Sequence, residues 1–136
     1  MNNISVKVGL ASCGVAAGAK EVYLALEQYL KANPRPVTLK KTACIGMCFE
    51  EPIVQFEGSE LGSIHIGKAN PETITQILED YIAGKAPAEN IILAEKISGK
   101  HNALLANQQR IVLRNCGIID PECIEDYEAG DGYKAL

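Results

Sequence analysis

"ISVKVGLASCGVAAGAKEVYLALEQYLKANPRPVTLKKT", residues 4 to 42, changes its apolar period twice, and those changes decide the fold. Ile4, Val6, Val8 and Leu10 alternate with smaller or polar neighbours, the period-2 pattern of a half-buried strand. "SCGVAAGAK" then supplies two glycines and a run of alanines, after which Val22, Leu26, Tyr29 and Leu30 recur along one face of a helix. That helix must stop at "NPRP", residues 33 to 36, because proline has no N–H to donate and restricts the residue before it. Val37 and Leu39 follow as a short second strand. A strand, a crossover helix and a second strand in this order favour a parallel pair.

Working outward, "PIVQFEGSELGSIHIGK", residues 52 to 68, reads as two strands joined by a Glu-Gly-Ser-Glu turn, an antiparallel hairpin. Asn70 is expected to cap the next helix, with Pro71 in its first position, Ile74, Ile77, Leu78, Tyr81 and Ile82 as its buried stripe and Gly84 as its stop. The expected fold class is α/β: a mixed sheet flanked by helices, in the thioredoxin-like arrangement, complete by about residue 85. From Ala86 neither period persists. Residues 86 to 136 are therefore expected to be a linker with at most one short element, at Ile91 to Leu93, followed by an extended C-terminal connector. The connector carries six acidic residues between Asp120 and Asp131, and residues 97 to 136 are expected to be mobile or ordered only by a neighbouring chain.

Composition narrows the function classes. A chain of 136 residues with 47% hydrophobic content can build a core without disulfides. Its five cysteines are an odd number, and no uninterrupted apolar stretch reads as a secretory signal or a membrane span, which points to thiols kept reduced in the cytoplasm, free or bound to metal. A net charge of -4, no Trp, two Phe and no Lys/Arg stripe leave no footprint for nucleic acid. No GxGxxG loop follows the first strand, so binding of NADH or FMN by this chain is not expected.

Chemistry concentrates in "KTACIGMCFEEPIVQF", residues 41 to 56. Cys44 and Cys48 flank Gly46, whose backbone freedom lets two sulfurs turn inward in one tight loop. A [2Fe-2S] cluster takes four such ligands. Cys13 reaches the same end of the sheet if the first and third strands are neighbours. Burial as small hydrophobes is the plain alternative for these cysteines, although a glycine-centred loop is a poor place for it. Zinc prefers a spacing of two intervening residues; His65 could complete a zinc set but sits between Ile64 and Ile66 as an outward strand residue. Thiol–disulfide chemistry would also want the two-residue spacing.

"VGLASCGVAAGAKEV", "TACIGMCFEEPIV" and the strand–helix order resemble the thioredoxin-like [2Fe-2S] ferredoxin domain of complex I-type NADH dehydrogenases and NAD(P)-linked hydrogenases. "LRNCGIIDPECIEDYEAGDGYKAL" resembles the segment that opens the flavin- and NADH-binding core of the flavoprotein subunit of those enzymes. The resemblance implies an electron-transfer accessory domain at residues 1–85 and a connector at 86–136, cut before a core that would carry the FMN and NADH sites, so that the fragment alone is not catalytic. Its implied partners are the other subunits of a dehydrogenase or hydrogenase complex; a homodimer stays open. Cluster-binding members of the family carry a Cys-x4-Cys pair ahead of a Cys-x3-Cys pair. Here Cys13, Cys44 and Cys48 are the implied metal ligands, the fourth is missing, and Val8 stands in its place, so that Val8→Cys would complete the set. Ser12 points to the opposite strand face, and Cys116 and Cys123 read as packing residues of the connector. Two readings stay open beside electron transfer: a cluster-free docking module for a sister subunit, and a thiol redox sensor.

Overall fold

The computed structural model describes residues 3–87 and 90–136. The expected alternation is realised as β1 (Ile4–Gly9), α1 (Ser12–Ala16), α2 (Ala19–Ala32) and β2 (Val37–Thr42). The hairpin strands are β3 (Val54–Glu57) and β4 (Ile64–Ile66), followed by α3 (Ile74–Ile82), β5 (Ile91–Ala94), α4 (Asn102–Ala106) and α5 (Ile124–Ala129). The five strands lie in the order β2-β1-β3-β4-β5. β1 pairs in parallel with β2, Ile4 opposite Val37 and Gly9 opposite Thr42, and antiparallel with β3, Val8 opposite Val54. β3 with β4 and β4 with β5 are antiparallel. This is the mixed α/β sheet expected from the apolar periods.

Alternation along β1 buries Ile4, Val6 and Val8, and with Val54, Phe56, Ile64 and Ile66 they form the main core. Ala19, Val22 and Leu26 of α2, and Ile74, Leu78 and Tyr81 of α3, complete it from one side. The two helices are tied to each other: the Tyr29 hydroxyl donates to Glu79, and Arg35 pairs with the same carboxylate at 2.7 Å. Tyr81 reaches under the hairpin, where its hydroxyl donates to the Gly62 carbonyl at 2.7 Å and accepts from the Ser59 N–H at 3.2 Å. A second cluster of Ile45, Met47, Ile53, Ile92 and Leu93 is covered by Leu105 of α4.

Three details differ from the sequence reading. "SCGVA" is a short helix rather than a loop, separated from α2 by Gly18 at φ +100°, where glycine is unstrained. Asn70 does organise the start of α3, but one turn ahead of it. Its side chain accepts from the Glu72 N–H at 2.8 Å and its carbonyl from the Ile74 N–H at 3.0 Å, while the helix proper begins at Ile74. The sheet also continues past residue 85, because Ile91–Ala94 pairs with β4 as an edge strand. Asn102 serves as that strand's outer neighbour: its amide oxygen accepts from the Ala94 N–H at 2.9 Å and its amide nitrogen donates to the Ala94 carbonyl at 2.8 Å. Residues 110 to 119 lie against the cysteine loop, where Thr42 donates to the Ile119 carbonyl at 3.1 Å and the Arg110 guanidinium donates to the Ile45 carbonyl. Among the described residues no helix is long and apolar enough to cross a membrane.

Candidate metal centre at one end of the sheet

Strand direction assembles the site. Because β1 and β2 are parallel, both reach their C-terminal ends at the same edge, and β3, antiparallel to β1, starts there. The segments leaving β1 and β2 and entering β3 must therefore meet. Cys13 lies in the first turn of α1, Cys44 just beyond β2, and Cys48 opens a 3-10 turn over Cys48–Glu50 that leads into β3. The three sulfurs all lie within 4.8 Å of one another. Cys44 Sγ and Cys48 Sγ are 3.6 Å apart, and between them Gly46, at φ +92°, turns its N–H onto Cys44 Sγ at 3.3 Å. Cys48 is exposed and the other two are half-buried, so these are not three small hydrophobes filling a core.

A residue that the sequence did not single out stands beside them. Glu51 is only 2% exposed. Its Oε2 accepts from the Ile53 N–H at 2.7 Å, and its Oε1 faces Cys13 Sγ at 3.8 Å. The chain leaves room for this carboxylate by omitting side chains. A Cβ on Gly9 would lie 3.3 Å from both carboxylate oxygens, and one on Gly14 would lie 2.2 Å from the Gly9 carbonyl and 3.2 Å from Oε2. The adjacent Glu50, 5% exposed, is neutralised in the ordinary way: Lys100 Nζ at 2.8 Å and His101 Nε2 at 2.7 Å both meet its Oε1. The one sequence signal for Glu51 was the acidic pair in "CFEEP" placed directly between a cysteine and an apolar strand.

Burial pushes the Cys44 thiol up to about 12, with the Gly46 N–H opposing and Cys13 and Cys48 adding to the rise. Burial likewise raises Cys13 and Glu51. With no metal present, Cys13 and Cys44 are protonated thiols at neutral pH and poor nucleophiles. A metal ion would displace the protons and take the sulfurs as ligands.

The other residues weighed from the sequence lie elsewhere. Val8 is fully buried in the main core, on the strand face it shares with Ile4 and Val6. The neighbouring position 9 is the one that faces Glu51, and successive strand residues point to opposite faces. Ser12 is exposed at the start of α1. His65, expected to point outward, is instead largely covered on β4, opposite Gln55 and Leu93 and outside the cysteine group. Cys123 donates to the Glu125 carboxylate at 3.1 Å, and neither it nor Cys116 belongs to the group. Three thiols from two chain segments form the group, with the Glu51 carboxylate beside Cys13, and its sulfur content suits iron–sulfur clusters or zinc rather than magnesium or calcium.

No protein-family model matches the chain. The NADP-reducing hydrogenase subunit HndB of Solidesulfovibrio fructosivorans is 25% identical to it over 88 residues, which cover 64% of this chain and 70% of that subunit. Two solved structures of a thioredoxin-like [2Fe-2S] ferredoxin from Aquifex aeolicus share the fold. The first has a TM-score of 0.59 at 21% identity and covers 73% of this chain and 98% of the ferredoxin. The second has a TM-score of 0.57 at 20% identity and covers 70% and 100%. The fold is that of the thioredoxin-like [2Fe-2S] ferredoxins.

Proposed function

We propose that this chain is an electron-transfer domain that holds a [2Fe-2S] cluster through Cys13, Cys44 and Cys48 and exchanges single electrons with other subunits of a cytoplasmic dehydrogenase or hydrogenase complex. The observation that carries the reading is the convergence of three cysteine sulfurs, from two chain segments, within 4.8 Å. The cluster, when bound, supplies the one-electron chemistry that amino-acid side chains lack. The chain's own residues hold and insulate it. Gly46 shapes the loop and directs its N–H at Cys44 Sγ, the kind of hydrogen bond to a ligand sulfur that tunes a cluster's potential. α1 rests its backbone on β1 at Gly14, so Cys13 is carried on a rigid element. Cys48 and the neighbouring Phe49 are exposed, which leaves this side open to a partner's redox centre. The fold and the likeness to a subunit named for NADP-reducing hydrogenase support a role inside a multi-subunit assembly.

A docking role without a cluster is the second reading, supported by the exposed apolar residues Phe49, Leu104, Ile111, Val112 and Leu113 beside the cysteine loop. Thiol sensing fits less well, because the Cys44 thiol is pushed up to about 12. Iron and acid-labile sulfide analysis of protein purified without oxygen separates these readings. The electron-transfer reading expects roughly two iron and two sulfide per chain and a paramagnetic signal on reduction. Protein free of iron after anaerobic reconstitution would leave the docking reading standing.

A further inference from the structure

We propose that the Glu51 carboxylate is the fourth ligand of this metal centre, completing with an oxygen the set that three cysteines leave open. The inference rests on the metal-binding reading above and adds to it a ligand that cysteine spacing cannot reveal. A carboxylate taken out of water is ordinarily met by a cation or by several donors, and Glu50 in the same turn is met by Lys100 and His101. Glu51, at 2% exposure, has one backbone N–H on Oε2 and only a thiol facing Oε1, and makes no ion pair among the described residues. Lys68 acts on it through space without pairing with it. Its free oxygen is directed at the cysteine group.

Two further observations agree. First, the carboxylate occupies space that the ends of β1 and α1 vacate by having glycine at positions 9 and 14, so its placement is built into the backbone packing. Second, Glu51 Oε1 lies 3.8 Å from Cys13 Sγ, and that sulfur belongs to a group whose three sulfurs all lie within 4.8 Å of one another. Two donors on one tetrahedral metal, at bonds of roughly 2.3 Å to sulfur and 2.0 Å to oxygen, stand about 3.5–3.8 Å apart. Cys13 and Glu51 therefore stand close to the separation of two donors that share one metal ion. Carboxylate oxygen is an established donor to iron in protein sites.

The test is anaerobic reconstitution of the wild-type chain and of Glu51→Gln, Glu51→Ala and Glu51→Cys with iron and sulfide, followed by metal counting and Mössbauer spectroscopy. Thermal unfolding of the metal-free proteins checks that each variant folds, and the near-isosteric Glu51→Gln carries the test if the alanine variant does not. In the wild type the two irons should give distinct quadrupole doublets. Glu51→Gln and Glu51→Ala should retain about tenfold less iron or worse on challenge with a chelator. Glu51→Cys should keep its iron and bring the two doublets close together, as expected for all-sulfur ligation. Iron content and spectra unchanged across the series would overturn the role of Glu51 while leaving the cluster reading intact. Failure of the wild type to bind any metal would overturn both. Zinc bound in place of iron, and lost from Glu51→Gln, would overturn the cluster and uphold Glu51 as a ligand.

Discussion

At the scale of single residues, two positions make opposite demands on their surroundings. Gly14 sits where no side chain fits, since a Cβ would come within 2.2 Å of the Gly9 carbonyl oxygen, a backbone atom that cannot swing aside. Gly14→Ala must lift α1 from β1 and move Cys13 with it. We expect a loss of about 1–3 kcal/mol in denaturant unfolding of the metal-free protein, together with reduced iron uptake on reconstitution. His65 is the second case. Burial holds its pKa down to about 4 from an ordinary 6.5, with Lys7 and Arg110 adding to the shift, so the folded chain carries it neutral. Between those two values the unfolded chain binds more protons than the folded one, so stability rises with pH across that window. The contribution is fully present above the unfolded value and is lost as pH falls toward about 4. It is on the order of 3 kcal/mol. Urea midpoints measured at roughly pH 5 and pH 7 should differ in the wild type, and His65→Gln should remove that part of the difference.

At the scale of elements, what the sequence revealed depended on how many residues each pattern had in which to repeat. β1, α2, the hairpin and α3 declare themselves because each repeats its apolar period or carries its own turn and stop residues, down to Gly84 at φ +71° after α3. β5 is four residues long, too short for a period, and its outer neighbour is the side chain of Asn102 rather than a strand. α1 was hidden by its glycine and alanine content, and the close packing of Gly14 on the Gly9 backbone holds it in place. The site divides in the same way. The Cys44 to Cys48 loop is legible from spacing and Gly46, and Cys13 joins it because strand order dictates which ends meet. Glu51 was not legible, since an acidic residue before a proline reads as surface until the vacancies at Gly9 and Gly14 are seen around it. The β5 assignment has a direct check. Asn102→Ala removes both hydrogen bonds to Ala94, so we expect a stability loss of about 1–2 kcal/mol and faster amide hydrogen exchange at Ala94, with α2 and α3 unaffected.

At the scale of the whole molecule, the segment after α4 and the turn after β1 decide what the chain can do alone. We propose that the folding unit runs to the end of α4 and that residues 107 to 136 form an attached cover. Limited proteolysis should then cut first beyond Ala106, with cleavage slowed when the metal centre is loaded, because Arg110 and Gly117 rest on Ile45 of the cysteine loop. Cleavage beginning between β4 and α4 would place the boundary earlier, near the residue 85 expected from the sequence. The turn after β1 bears on nucleotide binding. In nucleotide-binding α/β folds this turn is glycine-rich and presents N–H groups at a helix N-terminus to a phosphate. Here α1 is only five residues long, and the space at its start holds the Glu51 carboxylate, whose Oε2 would lie 3.2 Å from a Cβ on Gly14. An acidic group enclosed at that point disfavours the anion that such a turn would bind. We therefore expect this chain to bind neither NADH nor FMN and to transfer no hydride by itself. Isothermal titration calorimetry should give no saturable heat with either ligand, for the metal-free and the reconstituted protein alike. Saturation by NADH near the protein's own concentration would show that a nucleotide site exists on a surface other than the β1–α1 turn.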